Sequence, residues 1–190
     1  GMQIFRSEGF DTLGKILPRA TEIASNISII YIGITLACAL CYMMTGMDTF
    51  DATVHAFTTV ATGGFSNYDA SFGAFPGSVE WVATVFMILA ALPFVRYVQL
   101  MSGGASILED RQVRSFLILV GGLSVMTAVV LWARFGLPAE QSLREAAFNI
   151  TSIISGTGYA SVNYMTWGSF LVSIFFFIGL IGGCAGSTSC

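Results

Sequence analysis

The sequence predicts an all-α integral membrane protein built from tandem helix–pore-loop–helix repeats. Three observations point there. Charge is scarce: of 190 residues, 55% are hydrophobic and 10% charged, with a mean hydropathy of +0.77, where a soluble domain carries about 25% charged residues. The uncharged runs Ile27–Met47 and Phe116–Ala133 are each long enough to cross a bilayer as a helix, which takes about 17–25 residues. Finally, a polar Gly-rich stretch, Thr58–Asn67, follows a helical segment too short to cross, and a second copy lies at Ser152–Ser161. In a membrane chain such a loop is tolerated only against protein or a water-filled cavity, where its backbone carbonyls can face an ion.

Composition also excludes. A single His and a net charge of −3 leave no basic surface for nucleic acid. The four cysteines are Cys38, Cys41, Cys184 and Cys190. Cys38 and Cys41 have C-x-x-C spacing, but they sit in an uncharged run with no second ligand pair and no nearby His. They read as small apolar residues on one helix face, and no disulfide framework is implied.

In chain order, residues 1–26 are mixed polar, with Arg6, Lys15, Pro18 and Arg19, and read as a linker that is partly helical. Ile27–Met47 is the first span, ended by Gly46 and Asp48. Asp48–Ala61 is a helix of about three turns. Asp48, Thr49 and Asp51 suit its first turn, where carboxylate and hydroxyl oxygens accept from unpaired amides. Ala52, His55, Ala56, Thr59 and Val60 follow at helical spacing. The negative end of its dipole then points at Thr62-Gly63-Gly64. Ser66–Ser78 is a polar return.

Val79–Leu108 is expected as a second long helix containing Arg96, which should snorkel to the inner interface or, on a rival reading, tune the pore. Glu109–Arg114 is a charged turn, Phe116–Ala133 the next span, and Arg134–Glu145 a polar connection with Pro138. Glu140–Ile154 repeats the half-length helix. Trp167–Ile181 is apolar and breaks into Gly182-Gly183-Cys184-Ala185-Gly186-Ser187-Thr188-Ser189-Cys190, glycine and serine where a span should continue. The opening at Gly1–Arg6 and the stop after an apolar segment suggest a piece of a longer protein.

Aligning Gly64 with Gly158 sets Asp51 on Glu145, Ala52 on Ala146, Thr58 on Ser152, Val60 on Ile154 and Phe65 on Tyr159. One residue of slip then sets Phe72-Gly73 on Trp167-Gly168 and Phe75 on Phe170. The unit of span, half-helix, Gly loop and span therefore occurs twice in one direction, over 27–108 and 109–190. Arg96, Arg111 and Arg114, with Arg6, Lys15 and Arg19, lie on the side away from the loops, against Arg134 and Arg144 on the loop side. The positive-inside rule puts the loops outside. There Asp48, Asp51, Asp69 and Glu80 should draw cations to the mouth. Gly adopts cheaply the backbone conformations that aim successive carbonyls one way, and Phe65 or Tyr159 can wedge each loop against its helix.

The string Thr-Thr-Val-Ala-Thr-Gly-Gly-Phe-Ser-x-x-Asp-Ala-Ser-Phe at Thr58–Phe72 resembles the second filter region of the Trk family of potassium uptake proteins, in its TrkH subunit. Ser155–Ser161 resembles the third. Gly182–Ser189 is similar to the intramembrane loop that obstructs the pore below the filter in that family, and Gly1–Arg6 matches the linker before the second repeat. The resemblance covers essentially the whole chain. It implies a multi-pass protein of the bacterial inner membrane with the helix–pore-loop–helix architecture of potassium channels, four repeats around one pore, of which one and four are absent here. It implies a homodimer, regulated by a cytosolic nucleotide-binding subunit, in a lipid bilayer. Potassium would be held by backbone oxygens of Thr62, Gly63, Gly64, Gly156, Thr157 and Gly158, with Phe65 and Tyr159 in support and Gly182, Gly183, Cys184, Ala185, Gly186, Ser187, Thr188 and Ser189 as gate loop. The chain would not be an enzyme. A less selective sodium and potassium transporter of the same superfamily is the alternative. An intramembrane hydrolase would need His55 and a serine such as Ser106 to meet, yet they fall near opposite faces, and His55 is expected to pack behind the filter or bond locally. A purely structural subunit would need no repeated polar loop.

Overall fold

The computed structural model describes residues 20–75, 77–104 and 106–189. The linker expected over 1–26 lies outside them as far as residue 19, as does Cys190, and from Ala20 the chain is already helical. The helices are α1 (Ala20–Met44), α2 (Thr49–Val60), α3 (Ser78–Ala90), α4 (Phe94–Met101), α5 (Arg111–Phe135), α6 (Ala139–Ile154) and α7 (Ser169–Gly179), with 3-10 turns at Ser71–Ala74, Ile107–Glu109 and Tyr164–Trp167. No strand occurs among the described residues.

Two helices, α1 from Glu22 and α5, are each long and apolar enough to cross a membrane. Ile29, Ile32, Leu36 and Leu40 expose one face of α1, and Ile118, Val125, Val129 and Trp132 one face of α5, as expected of helices that meet lipid or further apolar segments. The half-length helices are as the sequence suggests. Asp48 caps α2, its carboxylate accepting from the Phe50 amide at 3.1 Å, and α2 ends twelve residues later, before the glycines.

The expected long helix over Val79–Leu108 is not continuous. It breaks into α3 and α4, bent by 85°, because Pro93 has no N–H and clashes with the preceding turn. Arg96, on α4, is held by two neighbours. Its Nε donates to Asp110 Oδ2 at 2.7 Å and its Nη1 to Gln99 Oε1 at 2.9 Å. Glu80 also departs from expectation. It is 2% exposed and takes Arg144 Nη1 of α6 at 2.5 Å, so its charge is spent on an ion pair between α3 and α6 rather than on the mouth. Arg144 bonds Glu140 as well, and Glu140 accepts from Trp81 Nε1 at 3.1 Å.

Packing converges on Phe72, which is fully buried. Its ring centroid lies 4.4 Å from that of Tyr159, 5.1 Å from Phe148, 5.5 Å from His55 and 6.0 Å from Tyr42. One side chain thus ties α1, α2, α6 and the second Gly loop together, in the tilted and edge-on arrangements that ring quadrupoles favour. In the full-length parent, Phe72→Ala should cost about 3–5 kcal/mol, the usual loss for truncating a buried Phe, and Phe72→Leu clearly less. Thermal unfolding in detergent checks this: equal midpoints for Phe72→Ala and the parent would show that the cluster does not hold the two units together.

Candidate functional site

Both half-helices end in the same backbone trace. Ala61 N–H donates to Phe57 O and Thr62 N–H to Thr59 O. Ser155 and Gly156 do the same to Thr151 and Ile153. The chain then turns left-handed at Thr62 (φ 51°) and Gly64 (φ 66°), and at the aligned Gly156 (φ 71°) and Gly158 (φ 86°). Gly64 N–H reaches the Thr58 carbonyl at 3.4 Å and Gly158 N–H the Ser152 carbonyl at 3.1 Å. Thr58 Oγ1 donates to Phe65 O at 2.9 Å, and Ser152 Oγ to Tyr159 O at 2.7 Å. A hydroxyl on the last turn of each half-helix therefore pins the exit of its loop.

Behind each loop stands a second strut. His55 Nδ1 meets the Asp51 carbonyl at 2.7 Å and Nε2 meets Ser66 Oγ at 2.9 Å. Asn149, the residue aligned with His55, donates to the Glu145 carbonyl at 2.8 Å and to Ser161 Oγ at 2.9 Å. An amide cannot serve as a base, so the shared geometry marks His55 as a strut. Ser106 plays no part in it. Ser106 caps the 3-10 turn that follows α4 and accepts from Leu108 N–H at 3.4 Å. The Asp51 carboxylate accepts from Asn67 Nδ2 at 2.9 Å and from the Tyr68 hydroxyl at 2.7 Å, which holds it below the usual carboxylate range.

The loops touch. A Cβ built on Gly64 would lie 1.9 Å from the Thr157 carbonyl oxygen, so only Gly fits there. Gly73 N–H donates to Ala160 O at 3.3 Å. The two aromatics behave differently. Tyr159 is 1% exposed and wedges against α2, its hydroxyl 3.3 Å from both Thr59 Oγ1 and the His55 carbonyl. Phe65 is 75% exposed. It is not packed against α2 or the second loop as Tyr159 is packed against α2.

The run 182–189 is brought to both loops. Thr62 Oγ1 donates to Thr188 O at 2.9 Å, and Ser189 Oγ bonds the Ser155 carbonyl. The thiols of Cys38, Cys41 and Cys184 are free. No cluster of His, Cys, Asp or Glu that could hold a metal occurs among the described residues. Carbonyl and hydroxyl oxygens are the donors available at the loops. Sequence reasoning missed Asn149, Ser161 and the Thr62 hydroxyl. Asn149 was legible as the partner of His55 in the alignment, whereas the Thr62 contact spans 126 positions and had no local signal.

A family model, TrkH, described as a cation transport protein, matches residues 6–190. The Trk system potassium uptake protein TrkI of Halomonas elongata is 42% identical over 100% of this chain and 39% of its own length. The corresponding protein TrkH of Escherichia coli K12 is 34% identical over 99% of this chain and 40% of its own. The crystal structure of the potassium transporter TrkH from Vibrio parahaemolyticus superposes with a TM-score of 0.84 at 31% identity, over 93% of this chain and 39% of that one. The chain thus spans about 40% of the length of these curated relatives, which are named as potassium uptake proteins.

The strut predicts a ranking. His55→Asn keeps both bonds in the manner of Asn149, whereas His55→Leu strands the Ser66 hydroxyl, a loss of about 1–3 kcal/mol. The asparagine variant should unfold at the higher temperature; a leucine variant of equal or greater stability would refute the strut.

Proposed function

The chain belongs to the TrkH family of cation transport proteins, and we propose that it supplies two quarters of a potassium pathway in a longer protein. Residues 27–108 and 109–190 are its second and third helix–pore-loop–helix units, the latter running to the gate loop. The backbone oxygens of Thr62, Gly63, Gly64, Gly156, Thr157 and Gly158 line the path and replace the hydration shell of potassium, the transported ion. Carbonyl rings do this for a cation in a pore, and the negative ends of the two half-helices add to it.

One observation carries the reading: two loops of the same backbone trace, each at the C-terminal end of a half-helix, abut at Gly64 and Thr157. Two adjacent walls of a ring have this form, and two further units close it. The exposed Phe65 is the residue that would wedge into a preceding unit, as Tyr159 wedges against α2. Loop 182–189, bonded to Thr62 and Ser155 at the start of both Gly loops, sits where an obstruction would act on the ion. The bearer is a bacterial inner-membrane protein that pairs with a second copy and answers to a cytosolic nucleotide-binding subunit. The Arg96, Arg111 and Arg114 side faces the cytosol.

Growth of a potassium-uptake-deficient bacterium on low potassium tests this. The full-length parent should rescue, and its Gly64→Asp variant should not at equal membrane levels. Rescue by both would remove this loop from the path. Gly64 and Gly158 should also differ. Any side chain at Gly64 meets the Thr157 carbonyl, so Gly64→Ser abolishes uptake. A Cβ at Gly158 meets nothing within 4 Å, though φ of 86° strains any side chain there by about 1–3 kcal/mol, so Gly158→Ser assembles with reduced stability and instead loses discrimination of potassium over sodium. Unaltered ion preference in Gly158→Ser, measured by sodium competition, would be evidence against the filter assignment.

A further inference from the structure

The break between α3 and α4 and the loop 182–189 complete each other. In an unbroken helix Phe94 N–H would donate to Ala90 O and Val95 N–H to Ala91 O. Instead, Phe94 N–H donates to Gly186 O at 3.0 Å, and Ala90 O accepts from Thr188 N–H at 3.2 Å and from Thr188 Oγ1 at 3.0 Å. Ala91 O accepts from Cys184 N–H at 3.0 Å. Leu89 O, which cannot take an amide from Pro93, accepts from Leu92 N–H at 3.3 Å and from the Tyr97 hydroxyl at 2.7 Å. The loop has entered the helix at a missing hydrogen bond and satisfies both of its ends. The fit is close: a Cβ on Gly183 would lie 3.3 Å from Ala91 Cβ and 2.5 Å from Ser189 Cβ. From its far side the loop bonds Thr62 and Ser155.

We propose that Pro93 is a positioning residue for the ion path: by opening α3–α4 it creates a backbone socket that holds loop 182–189 against both Gly loops. This deepens, and rests on, the reading of that loop as an obstruction. The two arrangements exclude each other. Ala90 O and Phe94 N–H either bond one another in a continuous helix or bond the loop. At membrane depth neither group can be left bare, so release of the loop and closure of the helix are one event. Pro93 biases that choice, since its ring disfavours the continuous helix. Thr188 sits at the centre, its amide and hydroxyl on Ala90 and its carbonyl on Thr62.

The test is rubidium flux into proteoliposomes containing the full-length parent, at equal amounts of folded protein. Pro93→Ala, which restores the N–H, should raise flux several-fold with potassium preference unchanged. Thr188→Val, which removes the hydroxyl and keeps the amide bond, should raise it less. A variant lacking Ala185 and Gly186 tests the obstruction by itself and should raise flux whatever holds the loop, and adding Pro93→Ala to it should bring no further gain. A rise in the shortened variant, with Pro93→Ala and Thr188→Val at or below the parent, would overturn the socket and leave the obstruction standing. No rise in the shortened variant would overturn both. A merely structural role for Pro93 would lower flux, and Thr188→Val, which removes one half-buried hydroxyl, gives the answer even if Pro93→Ala fails to assemble.

Discussion

Backbone amides and carbonyls at membrane depth must be paired, and this chain is shaped by how it pairs them where its helices stop. An unsatisfied group in hydrocarbon costs several kcal/mol, more than most side-chain contacts return. The two Gly loops leave helical conformation in mid-membrane and are tolerated because Thr58 and Ser152 take up the exit carbonyls while Thr58 O and Ser152 O accept the Gly64 and Gly158 amides. The broken ends at Pro93 are tolerated because loop 182–189 supplies what the helix lacks. Irregular segments pair with one another, so they cluster, as loop 182–189 does with both Gly loops.

The two units are alike in backbone and unlike in what they add. At the first left-handed position the second unit has Gly156, which adopts it without strain. The first unit has Thr62, a β-branched residue for which φ of 51° is a genuine outlier. Such strain costs of order 1–3 kcal/mol and persists only where the surroundings over-determine it. Here the hydroxyl bonds Ala61 O and Thr188 O, a reach that Gly could not make. The aromatics differ in the same way: Tyr159 is clamped by α2, whereas Phe65 is exposed.

Much of the fold was legible because its signals are local or periodic. The spans announce themselves by length and absence of charge, the half-helices by Asp48 and the acids near Glu140, and the loops by recurrence at one offset. The bend at Pro93 was missed, because hydropathy over Val79–Leu108 hides it: a bilayer-length stretch stays apolar whether or not it is straight, and the signal was the proline itself, which ends a helix inside an apolar run. The burial of Glu80 was not legible, because its partner Arg144 lies 64 residues away and a carboxylate near a helix start reads equally well as a cap or a surface charge. The Gly64 contact with Thr157 was hidden for the same reason. A Gly-Gly pair signals permissive backbone, and only the neighbouring loop reveals that the demand is for space.

The contact of α3 with α6, with the Phe72 cluster beside it, joins the two units, and the magnitudes suggest how the load is divided. The Glu80–Arg144 pair is nearly dry, with one carboxylate oxygen, Oε2, unpartnered. Removal of cost from two buried charges returns little net stability, while loss of one partner is severe. Such a pair selects register between units more than it holds them. The aromatic cluster around Phe72 provides the cohesion, being apolar, dense and shared by four segments. The loop glycines contribute almost none, since Gly63, Gly156 and Gly158 are exposed and bury no side chain, and Tyr159 is the loop residue that joins the cluster. Cohesion is therefore set beside the loop glycines rather than at them, which leaves the contacts between loop 182–189 and the two Gly loops to a few hydrogen bonds.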